Sequence, residues 1–119
     1  MTINFATARM ASGSDKRAFQ SMNSFMAEVA TPPMDVWQSE LQLEGSGKYK
    51  VSCAAHYFSG VQNFSCLVRP SHYSTEYWNI PKGSRISEVR YGDIDRDGDI
   101  DIAVKLTDGA IYVFHNLSK

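Results

Sequence analysis

Two alternating segments joined by a tight turn constrain the fold of this chain most. Residues 49–57 and 62–69 each alternate between two faces, and Ser59-Gly60 supplies a two-residue turn between them. Such a turn pairs residues whose numbers sum to 119, and 53 + 66 = 119, so Cys53 lies opposite Cys66. Alternation makes this a non-hydrogen-bonded pair, where the Cα atoms approach most closely. We expect a disulfide there; two buried free cysteines are the alternative.

The most acidic segment of the chain predicts a cation site. Residues 93–101 hold five Asp and one Arg, a local charge of -4 in a chain whose net charge is -1. Side-chain carboxylates fall at loop positions 1, 3, 5 and 9, Gly98 permits a sharp reversal at position 6, and the Asp99 carbonyl is available at position 7. Calcium prefers six to eight such hard oxygens. A solvated acidic turn is the alternative.

The residues around this loop resemble a known repeat. The segment YGDIDRDGDIDIAV from Tyr91 to Val104, followed by the Asp108-Gly109 hairpin, is similar to one FG-GAP/VCBS repeat of the integrin-alpha type. The resemblance covers 85–116, about a quarter of the chain. It implies a calcium loop between two strands in which Asp93, Asp95, Asp97 and Asp101 bind through side chains and Asp99 through its carbonyl. A propeller needs several such blades, so its platform function is not expected from one.

The remaining pattern predicts an α+β fold. We expect a single domain, 1–119, in which one N-terminal helix packs on a mainly antiparallel sheet of about six strands. Ser12 and Asp15 have capping-box spacing at the start of that helix. In chain order the expected segments are an irregular 1–12, a helix at 14–29, strands with the disulfide hairpin at 36–69, an aromatic loop at 70–84, and a calcium-loop β unit at 85–116 with strands near 85–91, 101–106 and 110–115.

Aromatic side chains near the hairpin tip and in the following loop form the best candidate for a partner surface. Tyr and Trp flanked by polar residues are typical of interface anchors. Burial of the loop as a lid over the core is the alternative. The candidate residues are Tyr57, Phe58, His72, Tyr73, Tyr77 and Trp78.

Composition and cysteine usage limit the classes of protein to which this chain can belong. The chain is 43% hydrophobic and carries little net charge, which excludes a disordered chain, and no apolar run is long enough to span a membrane. A pI near 6.3 disfavours a nucleic-acid binder. A disulfide indicates a periplasmic or secreted protein, so we expect the mature part of an exported precursor; a cytosolic protein is the alternative.

We therefore expect an extracytoplasmic calcium-binding module that binds another protein, or a glycan, without catalysis. A concrete version is a periplasmic inhibitor or immunity protein of a cell-wall-degrading toxin. A pilin-like or surface-fibre subunit and a small calcium-dependent hydrolase using His72 and Glu76 are the alternatives, and a homodimer stays open.

Overall fold

Strands dominate the part of the chain that the structure describes. The structure, a computed structural model, describes Phe5 and residues 8–43, 47–69, 73–74, 77–96 and 98–116. In chain order the elements are β1 (Arg9–Met10), α1 (Gly13–Phe19), β2 (Asn23–Ser24), β3 (Met26–Glu28), β4 (Met34–Leu43), β5 (Gly47–Phe58), β6 (Val61–Arg69), β7 (Tyr73–Ser74), β8 (Trp78–Asn79), β9 (Ile86–Gly92), β10 (Asp101–Leu106) and β11 (Ile111–Phe114).

The chain divides into two compact units, each with its own antiparallel sheet. The first unit combines the residues up to Phe25 with those from Ser84 onward, and its five strands lie in the order β1-β11-β10-β9-β2. The second unit is Met26–Gly83, with the order β3-β4-β5-β6-β7, and β8 also pairs with β6. The expected α+β fold is therefore wrong, because the described residues form two sheets and a single short helix.

The predicted helix at 14–29 ends ten residues early. It runs from Gly13 to Phe19, and the next three N–H groups donate to carbonyls three residues back, which tightens and closes the turn. Ser21, Asn23 and Ser24 follow, and such side chains compete with helix for backbone hydrogen bonds. Met26 and Val29, apolar residues at the end of the predicted helix, are exposed.

The predicted start of the helix is confirmed. The Ser12 hydroxyl accepts from the Asp15 N–H at 3.2 Å, and the Asp15 carboxylate accepts from the Ser12 N–H at 2.8 Å. These reciprocal bonds form a capping box with Asp in place of Glu.

Arg90 holds the other end of α1 on the sheet of the first unit. From β9 its guanidinium donates to the carbonyls of Phe19 and Gln20, at 2.8 and 3.3 Å, and lies 4.5 Å from the centre of the Phe19 ring. The Phe19 side chain is fully buried. It belongs to a core cluster with Met22, Ile94, Ala103, Ile111 and Val113.

The disulfide hairpin of the second unit is confirmed in its predicted register. Cys53 lies opposite Cys66 in the β5–β6 pair, with Cα atoms 4.0 Å apart and an S–S bond between them. One face of this pair is buried, through alternate residues such as Val51, Cys53 and Ala55. On the opposite face, which we call the outer face, lie the even-numbered residues of β5 and the odd-numbered residues of β6.

The other predicted strands lie close to their expected positions. The predicted strand region 36–69 begins two residues earlier, at Met34 in β4, and strand 85–91 corresponds to β9. The last hairpin turns at Asp108-Gly109 between β10 and β11, as predicted. No helix among the described residues is long and apolar enough to cross a membrane.

Candidate metal centre

The acidic loop is closed by the pairing of the strands on either side of it. Gly92 at the end of β9 lies opposite Asp101 at the start of β10, so residues 93–100 must reverse the chain between them. Two residues take the left-handed conformation that this reversal needs, Arg96 at φ 61° and Gly98 at φ 92°. The Gly98 N–H donates to the Asp93 carboxylate at 2.8 Å, which fixes the first half of the loop.

Asp101 is the buried anchor of the loop. Its side chain is fully buried, and its two carboxylate oxygens accept from the backbone N–H groups of Ile94, at 3.2 Å, and Asn116, at 2.8 Å. Burial raises the pKa of this carboxyl to about 6, although both N–H donors oppose that rise. A cation beside Asp101 would compensate for the burial of its negative charge.

The last hairpin brings a histidine to this loop. Ile102 pairs with Phe114 across β10 and β11, so Asp101 and His115 are the next residues on either side. His115 Nδ1 lies 3.0 Å from Asp95 Oδ2 and 3.7 Å from Asp101 Oδ1. One ligand atom from each of Asp95, Asp101 and His115 lies within 4.8 Å of the other two, so this group can hold a metal ion.

Arg9 decides which nitrogen of His115 carries the proton. The Arg9 Nε–H donates to His115 Nε2 at 2.8 Å. Because a guanidinium can only donate, Nε2 must accept and carries no proton. Nδ1 is therefore the protonated nitrogen, and it donates to the Asp95 carboxylate.

The same guanidinium binds the capping carboxylate of α1. Arg9 Nη1 donates to Asp15 Oδ2 at 2.5 Å, and this hydrogen bond lowers the pKa of the buried Asp15 carboxyl to about 2. Arg9 thus links the start of α1 to the residue that orients Asp95.

The predicted oxygen ligands lie together in part. Asp93, Asp95 and Asp101 belong to one closed loop, and Asp99 lies half-buried within it. Asp97 lies outside the described residues. Carboxylate and carbonyl oxygens suit calcium, whereas an imidazole ligand favours zinc, copper, iron or nickel.

His115 is the residue that the sequence analysis left out of the site. The signal was present, because Asp108-Gly109 predicts a hairpin, and a tight turn there pairs residues whose numbers sum to a constant. The observed pairs 102 with 114 and 104 with 112 both sum to 216, and so does 101 with 115. The two-residue arithmetic that places Cys53 opposite Cys66 gives a sum of 217 at Asp108-Gly109 and would place Asp101 opposite Asn116. The observed turn has three residues, 107–109, so the sequence locates His115 only to within one residue of its place opposite Asp101.

The predicted aromatic partner residues divide by exposure. Phe58 is 55% exposed at the tip of the β5–β6 hairpin and Tyr77 is 70% exposed, whereas Tyr57 and Trp78 are half-buried. Trp78 lies in β8, opposite the buried Phe64. His72 lies outside the described residues, and only the backbone of Tyr73 is described.

Phe58 lines an open groove at the hairpin tip. The groove has a volume of about 470 Å³, and Val61, which pairs with Phe58 and is 51% exposed, forms part of its wall with Ile80 and Lys82. Phe58 and Val61 therefore form a small exposed apolar patch beside the turn.

Comparison with known proteins adds no relative. No protein-family model, no curated protein and no solved structure matches this chain.

Proposed function

We propose that this chain is an extracytoplasmic calcium-binding module that binds another protein and has no catalytic role. The observation that carries the proposal is the buried carboxylate of Asp101, which faces Asp95 inside a closed acidic loop. Side chains of Asp93, Asp95, Asp97 and Asp101 and the carbonyl of Asp99 would hold the ion, as the resemblance to an FG-GAP/VCBS repeat implies. The disulfide supports an oxidising compartment.

The contact between Arg9 and His115 supports calcium over a metal that prefers nitrogen. Binding a metal through Nδ1 of a neutral imidazole would move its proton to Nε2, where it would face the Arg9 N–H donor. His115 is better suited to orient Asp95 than to bind the ion itself. The ligand set that remains contains only oxygen.

The proposed role of calcium is structural. Both oxygens of Asp101 already accept backbone N–H groups, one from Ile94 inside the loop and one from Asn116, two residues beyond the end of β11. A cation in the loop would join these segments of the first unit. The calcium-dependent hydrolase is less well supported, since these carboxylate contacts hold backbone.

Partner binding is supported by the outer face of the second unit. Its tip carries Phe58 and Val61, both more than half exposed. A toxin inhibitor is one form of such a module, and inhibition of a captured wall-degrading enzyme would identify it.

Titration calorimetry of the metal-free protein tests the calcium site. We expect one calcium per chain, little heat with magnesium, and a Kd raised about tenfold or more in Asp95→Asn, because one charged ligand becomes neutral. Glu28→Gln, which removes an exposed carboxylate in the second unit, is the matched control and should bind as wild type. Absence of calcium binding to the folded wild type would contradict the proposal.

His115→Asn separates calcium from a nitrogen-preferring metal. Asparagine retains an N–H donor for Asp95 but removes the imidazole. We expect calcium affinity to change by less than the effect of Asp95→Asn. Tight zinc binding by wild type that disappears in His115→Asn would instead assign the site to zinc.

Partner capture by wild type and Phe58→Ser tests the interaction surface. Val29→Ser, which removes a fully exposed valine outside the hairpin tip, is the matched control. The proposed partner should be lost with Phe58→Ser and retained with Val29→Ser. Equal recovery by all three proteins would exclude the hairpin tip as the binding surface.

A further inference from the structure

The outer face of the second unit carries a cluster of basic side chains at the end opposite the hairpin tip. Lys48 and Lys50 alternate along β5, and Arg69 lies opposite Lys50 on β6. We call these three residues the basic triad. All three are exposed, and they line a groove of about 330 Å³ together with Glu40 and Tyr49.

The triad has an unfavourable arrangement of charge. Lys50 and Arg69 are directly opposite in register, and like charges in such a pair destabilise a sheet. Glu40 lies opposite Lys50 on β4, but neither Lys50 nor Arg69 forms an ion pair with it or with any other described residue. With three cations and the single carboxylate of Glu40, the described side chains that line this groove carry a net charge of +2.

We propose that the basic triad binds an acidic, extended segment of the partner protein. The spacing of the cations supports a peptide strand, because Lys48 and Lys50 are two residues apart on a strand and so recur at roughly 6.6 Å. Alternate side chains of an extended peptide recur at the same distance on one side. Acidic residues at alternate positions of the partner would match Lys48 and Lys50, while the fork of Arg69 suits a carboxylate.

The triad and the hairpin tip lie on one face of the same hairpin. Lys48, Lys50 and Phe58 are all even-numbered residues of β5, and Val61 and Arg69 are both odd-numbered residues of β6. Eight residues separate Lys50 from Phe58, roughly 26 Å along the strand. The inference rests on the proposed partner-binding function, and it adds the charge of the partner and the conformation of the segment that docks.

Fluorescence anisotropy with two labelled peptides of equal charge tests the inference on the full chain. One peptide carries glutamates at alternate positions, Ser-Glu-Ser-Glu-Ser-Glu-Ser, and the other carries the three glutamates consecutively. We expect the alternating peptide to bind about five- to tenfold more tightly at low salt, because its acids all point to one side. Affinity should fall as salt rises.

Arg69→Glu is the decisive variant, because the inference predicts that it weakens peptide binding but raises the stability of the fold. It places a carboxylate opposite Lys50, so peptide binding should be lost while the melting temperature rises by about 2–4 °C. Arg85→Glu, a charge reversal at an exposed arginine of the first unit, is the matched control and should leave peptide binding unchanged.

Three results would overturn the inference: equal affinity for the two peptides, unchanged peptide affinity in Arg69→Glu, or tighter binding of dextran sulfate than of either peptide. The last would assign the triad to an anionic polysaccharide. The triad lies on β5 and β6 of the second unit. If the first unit fails to bind calcium, the peptide-binding measurement can therefore still be interpreted. Wild-type protein that binds neither peptide but still captures its partner through Phe58 would be a fourth such result, and it would refute this inference alone.

Discussion

At the scale of single residues, Arg9 and Asp15 connect the capping of a helix to the candidate metal centre. The Arg9 guanidinium donates to Asp15 through one nitrogen and to His115 through another, and His115 in turn orients Asp95. A residue of the short first strand thereby sets the geometry of a loop near the other end of the chain. Nothing in the local sequence of Arg9 indicates this role.

The Asp15 carboxyl should make stability depend on pH. Its pKa falls from 3.8 to about 2 on folding, chiefly because of the hydrogen bond from Arg9. A lowered pKa contributes stability above pH 4, and that contribution is lost as the pH falls from about 4 towards 2. It corresponds to about 2 kcal/mol in the free energy of unfolding.

Asp15→Asn should remove this contribution. Urea unfolding of metal-free protein should show a difference between wild type and variant of about 2 kcal/mol at pH 5 that shrinks towards pH 2. Glu40→Gln, at an exposed acid of the second unit, should leave the acid unfolding profile unchanged. If the difference in the free energy of unfolding between wild type and Asp15→Asn stays constant from pH 5 to pH 2, the ion pair between Arg9 and Asp15 does not contribute to stability.

At the scale of elements, α1 depends on the sheet more than on its own sequence. Seven residues are too few for a stable isolated helix, so the contacts of Phe19 and Arg90 must hold it in place. Arg90 donates to two carbonyls at the end of the helix, that of Gln20 and that of Phe19, which also accepts from the Met22 N–H.

Arg90→Ala should therefore lower the free energy of unfolding by about 1–3 kcal/mol, through lost carbonyl contacts and the lost stack on Phe19. Thermal or urea unfolding measures the change. Glu88→Gln, which alters only the carboxylate bound to the same guanidinium, should have a smaller effect. An effect of Glu88→Gln equal to that of Arg90→Ala would place the stabilisation in the ion pair, not in the helix end.

Sequence predicts the elements whose partners are close along the chain. Both hairpins follow from turn residues and alternation, and the register of Cys53 with Cys66 follows from the turn alone. The short strands β2 and β3 could not be found in this way, because they pair with distant β9 and nearby β4 through backbone groups that any sequence carries. The apolar spacing of Met22, Met26 and Val29 imitates a helix, but tertiary pairing overrides it.

The candidate metal centre could likewise be predicted only where its parts are close together in the sequence. The spacing of the aspartates is local, and the sequence predicts the loop that contains Asp93, Asp95 and Asp101. Arg9 joins this site through its contact with His115, 106 residues away in sequence, and Asp15 joins it through Arg9; periodicity cannot reveal such a contact. His115 lies between these cases, since the predicted Asp108-Gly109 hairpin locates it to within one residue of its place opposite Asp101.

At the scale of the whole molecule, the two units contain different features: one has the disulfide, and the other has the acidic loop that we propose binds calcium. The disulfide lies in the unit Met26–Gly83, where it closes a loop with a sequence separation of 13 and should contribute roughly 3 kcal/mol. The acidic loop belongs to the other unit, which the chain enters twice. A reductant and a chelator should therefore act on different sets of residues.

Amide hydrogen exchange followed by NMR tests this separation. Calcium should slow exchange at Ile94 and Asn116, whose N–H groups donate to Asp101, and saturation at 100 times the Kd should add about 2.7 kcal/mol of protection where exchange requires unfolding of that unit. Reduction of the disulfide should speed exchange along β5 and β6, because the cross-link between Cys53 and Cys66 is lost. In Asp95→Asn the effect of calcium should weaken while the effect of reduction persists. Calcium protection confined to β5 and β6 would mean that the ion binds elsewhere, and the acidic loop would then be a solvated turn.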